Sequence, residues 1–208
     1  MTSAARAGVL FVAIALITGT ARPGSAQAPA DTVLARALEE RGRIDQAIRD
    51  TMVRKLQAGE QLDSVLGARM MAIDSANTTW LKAIVAERGW PGRSVVGEAA
   101  AEAAFLIVQH AVHDSAFQAS ALALMQQGVA TGEVDGQDVA MLADRVAVHR
   151  GQPQLYGTQA RIENGRVVLD SIADSAHVDE RRTRLGMPPL AAYVRVLDSV
   201  YTASSAPQ

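Results

Sequence analysis

The sequence predicts a mainly α fold, a helical bundle in which a long N-terminal helical hairpin joins a compact multi-helix domain with one small β-hairpin. Three observations predict it. Long segments space their apolar residues by three and four, the helical period. Short breaks rich in Gly, Pro and Asp separate those segments. Only "ARIENGRVVL", residues 160–169, reads as two β-prone pieces around an Asn-Gly turn.

Before the first helix comes a different texture. Arg6, the apolar run Ala7 to Thr18 and the small residues of "GSAQA" have the pattern of a secretory signal peptide, residues 1–26, cut after Ala26 or else after Ala28. The run is short of the ~20 residues a membrane span needs. The expected product has no membrane span and is periplasmic or extracellular. No cysteine follows the run, so a lipid anchor on cysteine is excluded. The chain has no cysteine at all, which also excludes disulfides, thiolate nucleophiles and thiolate metal ligands. Losing Arg6 and Arg22 with the leader leaves 18 basic against 22 acidic residues, a net charge of −4. That mildly acidic surface has no electrostatic footprint for nucleic acid or an anionic membrane.

From Asp31 to about Ala58, apolar residues fall at Leu34, Leu38, Ile44, Ile48, Met52 and Leu56. Ala58 and Gly59 interrupt. Leu62, Leu66, Met70, Ile73, Trp80 and Ile84 then repeat the stripe until "ERGWPG", where Gly89 and Pro91 are stop signals. Residues 27–88 therefore form an antiparallel helical hairpin. A more apolar third helix is expected from Gly97 to Asp114, a fourth from Ser115 to Gln127, and a fifth from Gln137 to His149, entered through "TGEVDG". The β-hairpin, near 159–170, follows. A last helical segment starts near Val178, breaks at "GMPPL" and resumes from Leu190 to Tyr201, closing a domain over 89–201. "TASSAPQ", 202–208, reads as a frayed tail.

The order "GWPG", "IVQHA", Asp114, "LADRV", "QLYGTQ", "DERR", "LGMPPL" and Tyr193 resembles a bacterial, often exported family of unknown function marked by Q-H-A and Y-G-T-Q motifs. The resemblance runs from Arg88 to Val194 and implies no assigned reaction. Val112 stands where that family commonly has an acidic residue, and Ser171 where it has proline. If the acidic residue assists the histidine there, Asp114 is the residue left to do so here.

Within "AAFLIVQHAVHD", helical spacing puts His110 on a stripe with Ala103, Leu106, Ile107 and Asp114, and Gln109 nearer Glu102 and Phe105. His110 is thus expected to face inward with Asp114 in reach of its ring. A buried imidazole needs both nitrogens satisfied, because an unpaired buried polar group costs about 1–3 kcal/mol. His110 either ties two helices together or works as a general base oriented by Asp114. His110, His113 and Asp114, with His149 or His177 and Asp179, could converge on an ion, but the spacing matches no zinc signature. No metal and no cofactor are expected.

"QLYGTQ" offers Gln154, Tyr156, Thr158 and Gln159 around Gly157, either to grip a polar ligand or to satisfy the loop's own backbone. Asp144 and Arg145, adjacent on the fifth helix, should face different ways. Arg145 either anchors a carboxylate or pairs with Asp138 or Asp179. Arg181 and Arg182 suit a solvated helix face, with Arg181 also a ligand candidate. Trp80 and Trp90 suit the core or its rim, and Trp90 can wall a pocket. No G-x-S-x-G elbow or glycine-rich phosphate loop occurs, and Ser94 and Ser115 have no base at motif spacing.

Two functions remain open. One is a binding or interaction module for a small polar ligand or peptide, using Gln109, Arg145, Gln154, Tyr156, Thr158, Gln159 and Arg181. The other is a hydrolase-type enzyme with His110 as general base, Asp114 beside it and the "QLYGTQ" loop holding substrate. A structural partner in a complex would instead show an apolar patch on the first two helices. Nothing in the sequence sets an oligomeric state.

Overall fold

The computed structural model describes residues 29–163 and 166–201, which contain eight α-helices and one two-stranded antiparallel sheet. The expected leader, the Asn164-Gly165 turn and the expected tail lie outside the described residues.

α1 (Thr32–Gln57) and α2 (Ser64–Arg88) are the two long helices. Each starts on an aspartate whose carboxylate accepts an orphan first-turn amide: Asp31 from Leu34 N at 2.9 Å, Asp63 from Leu66 N at 2.7 Å. α2 stops at Gly89, whose φ of 79° suits a residue without Cβ. A four-residue turn, α3 (Arg93–Val96), then leads into α4 (Glu98–His110).

α4 runs parallel to α1. Asp31 N donates to Val95 O at the near end, Gly42 meets Ala103 midway, and Asp45 meets His110 at the far end. A Cβ on Gly42 would lie 2.8 Å from Ala103 Cβ, so the glycine sets how closely the two helices approach. Two expectations change here. Ile44 is 40% exposed, and the stripe position it was expected to fill belongs to Asp45, which is fully buried. α4 also ends at His110 rather than Asp114, because Asp114 starts the next helix.

α5 (Ser115–Gly128) is capped by Asp114, which accepts from Phe117 N at 2.9 Å. Asp135 caps α6 (Gly136–His149) in the same way, taking Gln137 N. β1 (Ala160–Glu163) and β2 (Arg166–Leu169) pair with Ala160 opposite Leu169 and Glu163 opposite Arg166. A single 3-10 turn at Ser175–His177 precedes α7 (Val178–Arg184), and α8 (Leu190–Tyr201) is the last described element.

Two apolar cores result. Leu38, Leu81, Phe105, Ile107, Met125 and Leu142 belong to the larger, built on α4. Ile48, Met52, Leu66, Ala160, Tyr193 and Leu197 form the smaller, which joins the hairpin and α8 to the far half of α1. Each large aliphatic side chain buried in them contributes about 1.5–3 kcal/mol. α1 serves both cores, and Asp45 lies on its buried face between Leu38 and Ile48.

Candidate functional site

The Asp45 carboxylate, sealed from solvent, accepts from His110 Nδ1 at 2.9 and 3.1 Å, from Arg49 Nη1 at 2.7 Å and from Gln46 Nε2 at 2.8 Å. Arg49 reaches on to Asp74 of α2, its Nη2 2.8 Å from Oδ1. Four ionisable groups from three helices are therefore linked in one chain. Burial pushes the Asp45 carboxyl upward, but the hydrogen bond from His110 and the Arg49 charge beside it act against burial, and the group ends below its usual value. Burial pulls the His110 imidazole down, and the Arg49 charge adds to it against the opposing pull of Asp45. The ring is thus neutral at pH 7, and its bond to an ionised carboxylate places its proton on Nδ1.

His110 Nε2 makes no hydrogen bond among the described residues. The ring, 12% exposed at its side chain, lines a cleft of about 530 Å³ between α1, α4 and the end of α8. One wall carries Glu39, Arg43, Gln46, Arg49, Asp50 and Val53 at helical spacing along α1. The other carries Ala99, Glu102, Ala103, Leu106 and His110 of α4, and Val200 and Tyr201 close the end. Gly42 and the two alanines leave the groove open because they have so little side chain.

Asp114 is not His110's partner. Its Oδ1 caps α5, and its Oδ2 meets Lys82 Nζ at 2.6 Å. The helix breaks at Ala111, so the expected four-residue step from His110 is lost. His113 is exposed in the turn that follows. His177 binds Asp174 at 2.9 Å, and Asp179 accepts Leu190 N at 2.7 Å. No group of three or more His, Asp or Glu arranged to hold a metal occurs among the described residues.

Gln109 departs from the expected geometry too. It is the sealed member of the Gln-His pair, 1% exposed, and neither atom of its amide has a hydrogen-bond partner among the described residues. Its carbonyl accepts from Arg145 Nη1 at 2.8 Å and Gln118 Nε2 at 3.2 Å.

The "QLYGTQ" loop is bound inward. Gln154 Nε2 donates to the Gln159 and Asp170 carbonyls, both at 2.9 Å, and its Oε1 accepts from Gln159 N at 2.8 Å. Gln159 Oε1 accepts from Arg145 Nε at 3.0 Å, and its amide donates to Met141 O and Thr158 Oγ1. Asp144 and Arg145 both turn to this loop rather than facing apart. Asp144 accepts from the backbone N–H groups of Leu155, Tyr156 and Thr158 and from Thr158 Oγ1. Burial raises its carboxyl, and those four bonds pull against the rise. Arg145 donates its Nε to Gln159 Oε1 at 3.0 Å and its Nη1 to the Gln109 backbone carbonyl at 2.8 Å.

Arg181 and Arg182 are clamps, not a solvated face. Arg181 donates to the carbonyls of Leu155, Ala173 and Asp174. Arg182, fully buried, donates to Tyr156 O and Pro188 O and stacks 4.9 Å from the centre of the Tyr193 ring. Trp80 and Trp90 pack half-buried against the larger core, and Trp90 also walls a second, shallower hollow with Val95 and Leu124. The loop therefore reaches His110's neighbour through Arg145, but not the imidazole.

Sequence reasoning missed Asp45, Arg49, Asp74 and Tyr201. One signal was available: Asp45 stands seven residues after Leu38 and seven before Met52, a charge in the middle of an apolar stripe.

A model of a family of unknown function (DUF6624) matches residues 33–205, a span that includes α1 and α2 as well as the motif-bearing half. No curated protein and no solved structure matches the chain.

Proposed function

Because the chain belongs to this family of unknown function across residues 33–205, and membership assigns no reaction, we propose a function from the cleft itself: a hydrolase-type acid–base site with His110 as general base. The Asp45–His110 bond carries the reading. It keeps the proton on Nδ1, which leaves the Nε2 lone pair for the cleft. Nε2 takes a proton from a water held against the substrate, and Asp45 stabilises the imidazolium that forms. Arg49 keeps Asp45 ionised and positioned, with Asp74 bracing it from the other side. Positioned general bases contribute about 10²–10⁴-fold.

His110→Gln, assayed with p-nitrophenyl esters, is expected to lose at least ~10² in rate. The wild-type rate is expected to fall as pH drops below 6.5, where the ring begins to take up the proton. A His110→Gln protein as fast as wild type overturns the reading.

The mixed lining of the cleft, Val53 and Leu106 beside Gln46 and Arg43, favours a second reading as a binding module for a small polar ligand or peptide. Calorimetry distinguishes the two: a ligand held equally by wild type and His110→Gln, with no turnover, supports the module. Both readings place the protein outside the cytoplasm, on the leader pattern of Arg6 and residues 7–18. Mass spectrometry of the exported protein, starting at Gln27, tests that placement.

A further inference from the structure

Tyr201 closes the end of the cleft that His110 and Arg49 line. Its side chain packs in the smaller core with Tyr193 and Leu197, and the residue is only 9% exposed. Two turns earlier on α8, Tyr193 donates its hydroxyl to Thr158 O at 3.1 Å, as a buried phenol ordinarily does. The Tyr201 hydroxyl has no hydrogen bond among the described residues, and the residue lines the cleft. It is also held in place: Gln57 Nε2 donates to Val200 O at 3.2 Å, tying the end of α8 to the end of α1.

Burial raises the Tyr201 phenol above its ordinary value of 10, although the Arg49 and Arg145 guanidinium groups lie near enough to oppose it. At neutral pH the group is a neutral O–H, a hydrogen-bond donor on a residue that lines the cleft.

We propose that Tyr201 is a second catalytic residue of the cleft, donating its O–H to the carbonyl oxygen of an ester or amide, so that neutral acyl compounds are the substrate class. This rests on the acid–base reading of His110. As Nε2 removes a proton from water, the water oxygen bonds to the acyl carbon and the carbonyl electron pair moves onto oxygen, where the Tyr201 O–H stabilises it. When the carbonyl re-forms, the bond to the alcohol or amine breaks and the leaving group takes the proton from His110. One water is consumed, and a carboxylic acid and an alcohol or amine are released.

Charge selects acyl over phosphoryl groups. The arginines of the lining are Arg43 and Arg49; Glu39, Asp50 and Glu102 line the same cleft, and Asp45 and Asp74 already hold Arg49. A phosphate dianion entering that acidic surround meets no surplus cation, whereas a neutral carbonyl needs only a donor.

The test compares wild type, Tyr201→Phe and His110→Gln on p-nitrophenyl acetate, p-nitrophenyl butyrate and p-nitrophenyl phosphate, with thermal midpoints as a check that each variant folds. Tyr201→Phe is expected to lower kcat on the esters about 10²–10³-fold, the range for losing one oxyanion donor, with KM within about 2-fold and the acid limb of the pH profile unmoved. An unchanged kcat in folded Tyr201→Phe, beside a slow His110→Gln, overturns the role of Tyr201 and leaves the His110 reading standing. Phosphate turned over faster than either ester overturns the substrate class. Wild-type ester turnover no faster than that of His110→Gln overturns both.

Discussion

Asp45 sits where an aliphatic side chain would complete the buried stripe of α1, and its partners make that burial tolerable. A buried carboxylate that loses one partner costs far more than the net worth of the pair. Arg49→Met leaves Asp45 and Asp74 facing each other without their bridging cation, and urea unfolding is expected to show a loss of about 3–5 kcal/mol. Asp45→Asn is the milder change. It keeps the shape but removes the charge that fixes the ring and stabilises imidazolium, so ester turnover should drop by about 10² or more while the fold persists. His110 adds a sign to the pH dependence of stability. Its folded value is depressed, so the folded state holds fewer protons than the unfolded chain below pH 6.5, and stability is lost as pH falls through the folded value. None of this pairing was legible locally, because 65 residues separate the histidine from its carboxylate. Only the misplaced charge at Asp45 pointed to it.

At the scale of elements, the site depends on how closely α1 and α4 approach. Gly42→Ala places a methyl group 2.8 Å from Ala103 Cβ, which the parallel helices can relieve only by separating. Thermal unfolding should show a loss of about 1–3 kcal/mol, and ester turnover should fall with it as His110 shifts against Asp45. The polar loop acts as a buttress: Asp144→Ala strands three backbone amides and a hydroxyl, an expected cost of about 3 kcal/mol or more by urea unfolding. The helices were well legible because their signals are local. Asp31, Asp63 and Asp135 cap where the periodic stretches begin, and Gly89 stops α2. Asp114 is the instructive failure. The stretch from Gly97 to Asp114 holds no internal Gly or Pro, yet Asp114 starts α5 as its cap, so the helix that should carry it past His110 ends early. Likewise "DERR" reads as a charged surface, whereas Arg182 is buried by carbonyls of distant segments.

Across the whole molecule, the cleft exists only because two cores share α1. His110 comes from the side of the larger core and Tyr201 from the smaller, and Asp45 lies between them on the shared helix. Fold class was readable from periodicity alone; the convergence of those residues was not, since it follows from docking rather than spacing. Elsewhere, burial, with Asp135 and Glu102 adding to it, pushes the Asp138 carboxyl from 3.8 up to about 7 against the pull of Arg93. The folded state therefore keeps a proton that the unfolded chain releases, and stability declines as pH rises from about 4 to 7. Asp138→Asn should be nearly neutral at pH 4 and stabilising by roughly 3–4 kcal/mol at pH 8, read from urea unfolding at both pH values. The central claim concerns one ring nitrogen, and ¹⁵N NMR of the His110 imidazole in the full-length protein reads it directly. The Nδ1–H tautomer with an unprotonated Nε2 at pH 7, titrating below 6.5, is the predicted result. A ring carrying its proton on Nε2, or cationic at pH 7, contradicts the account.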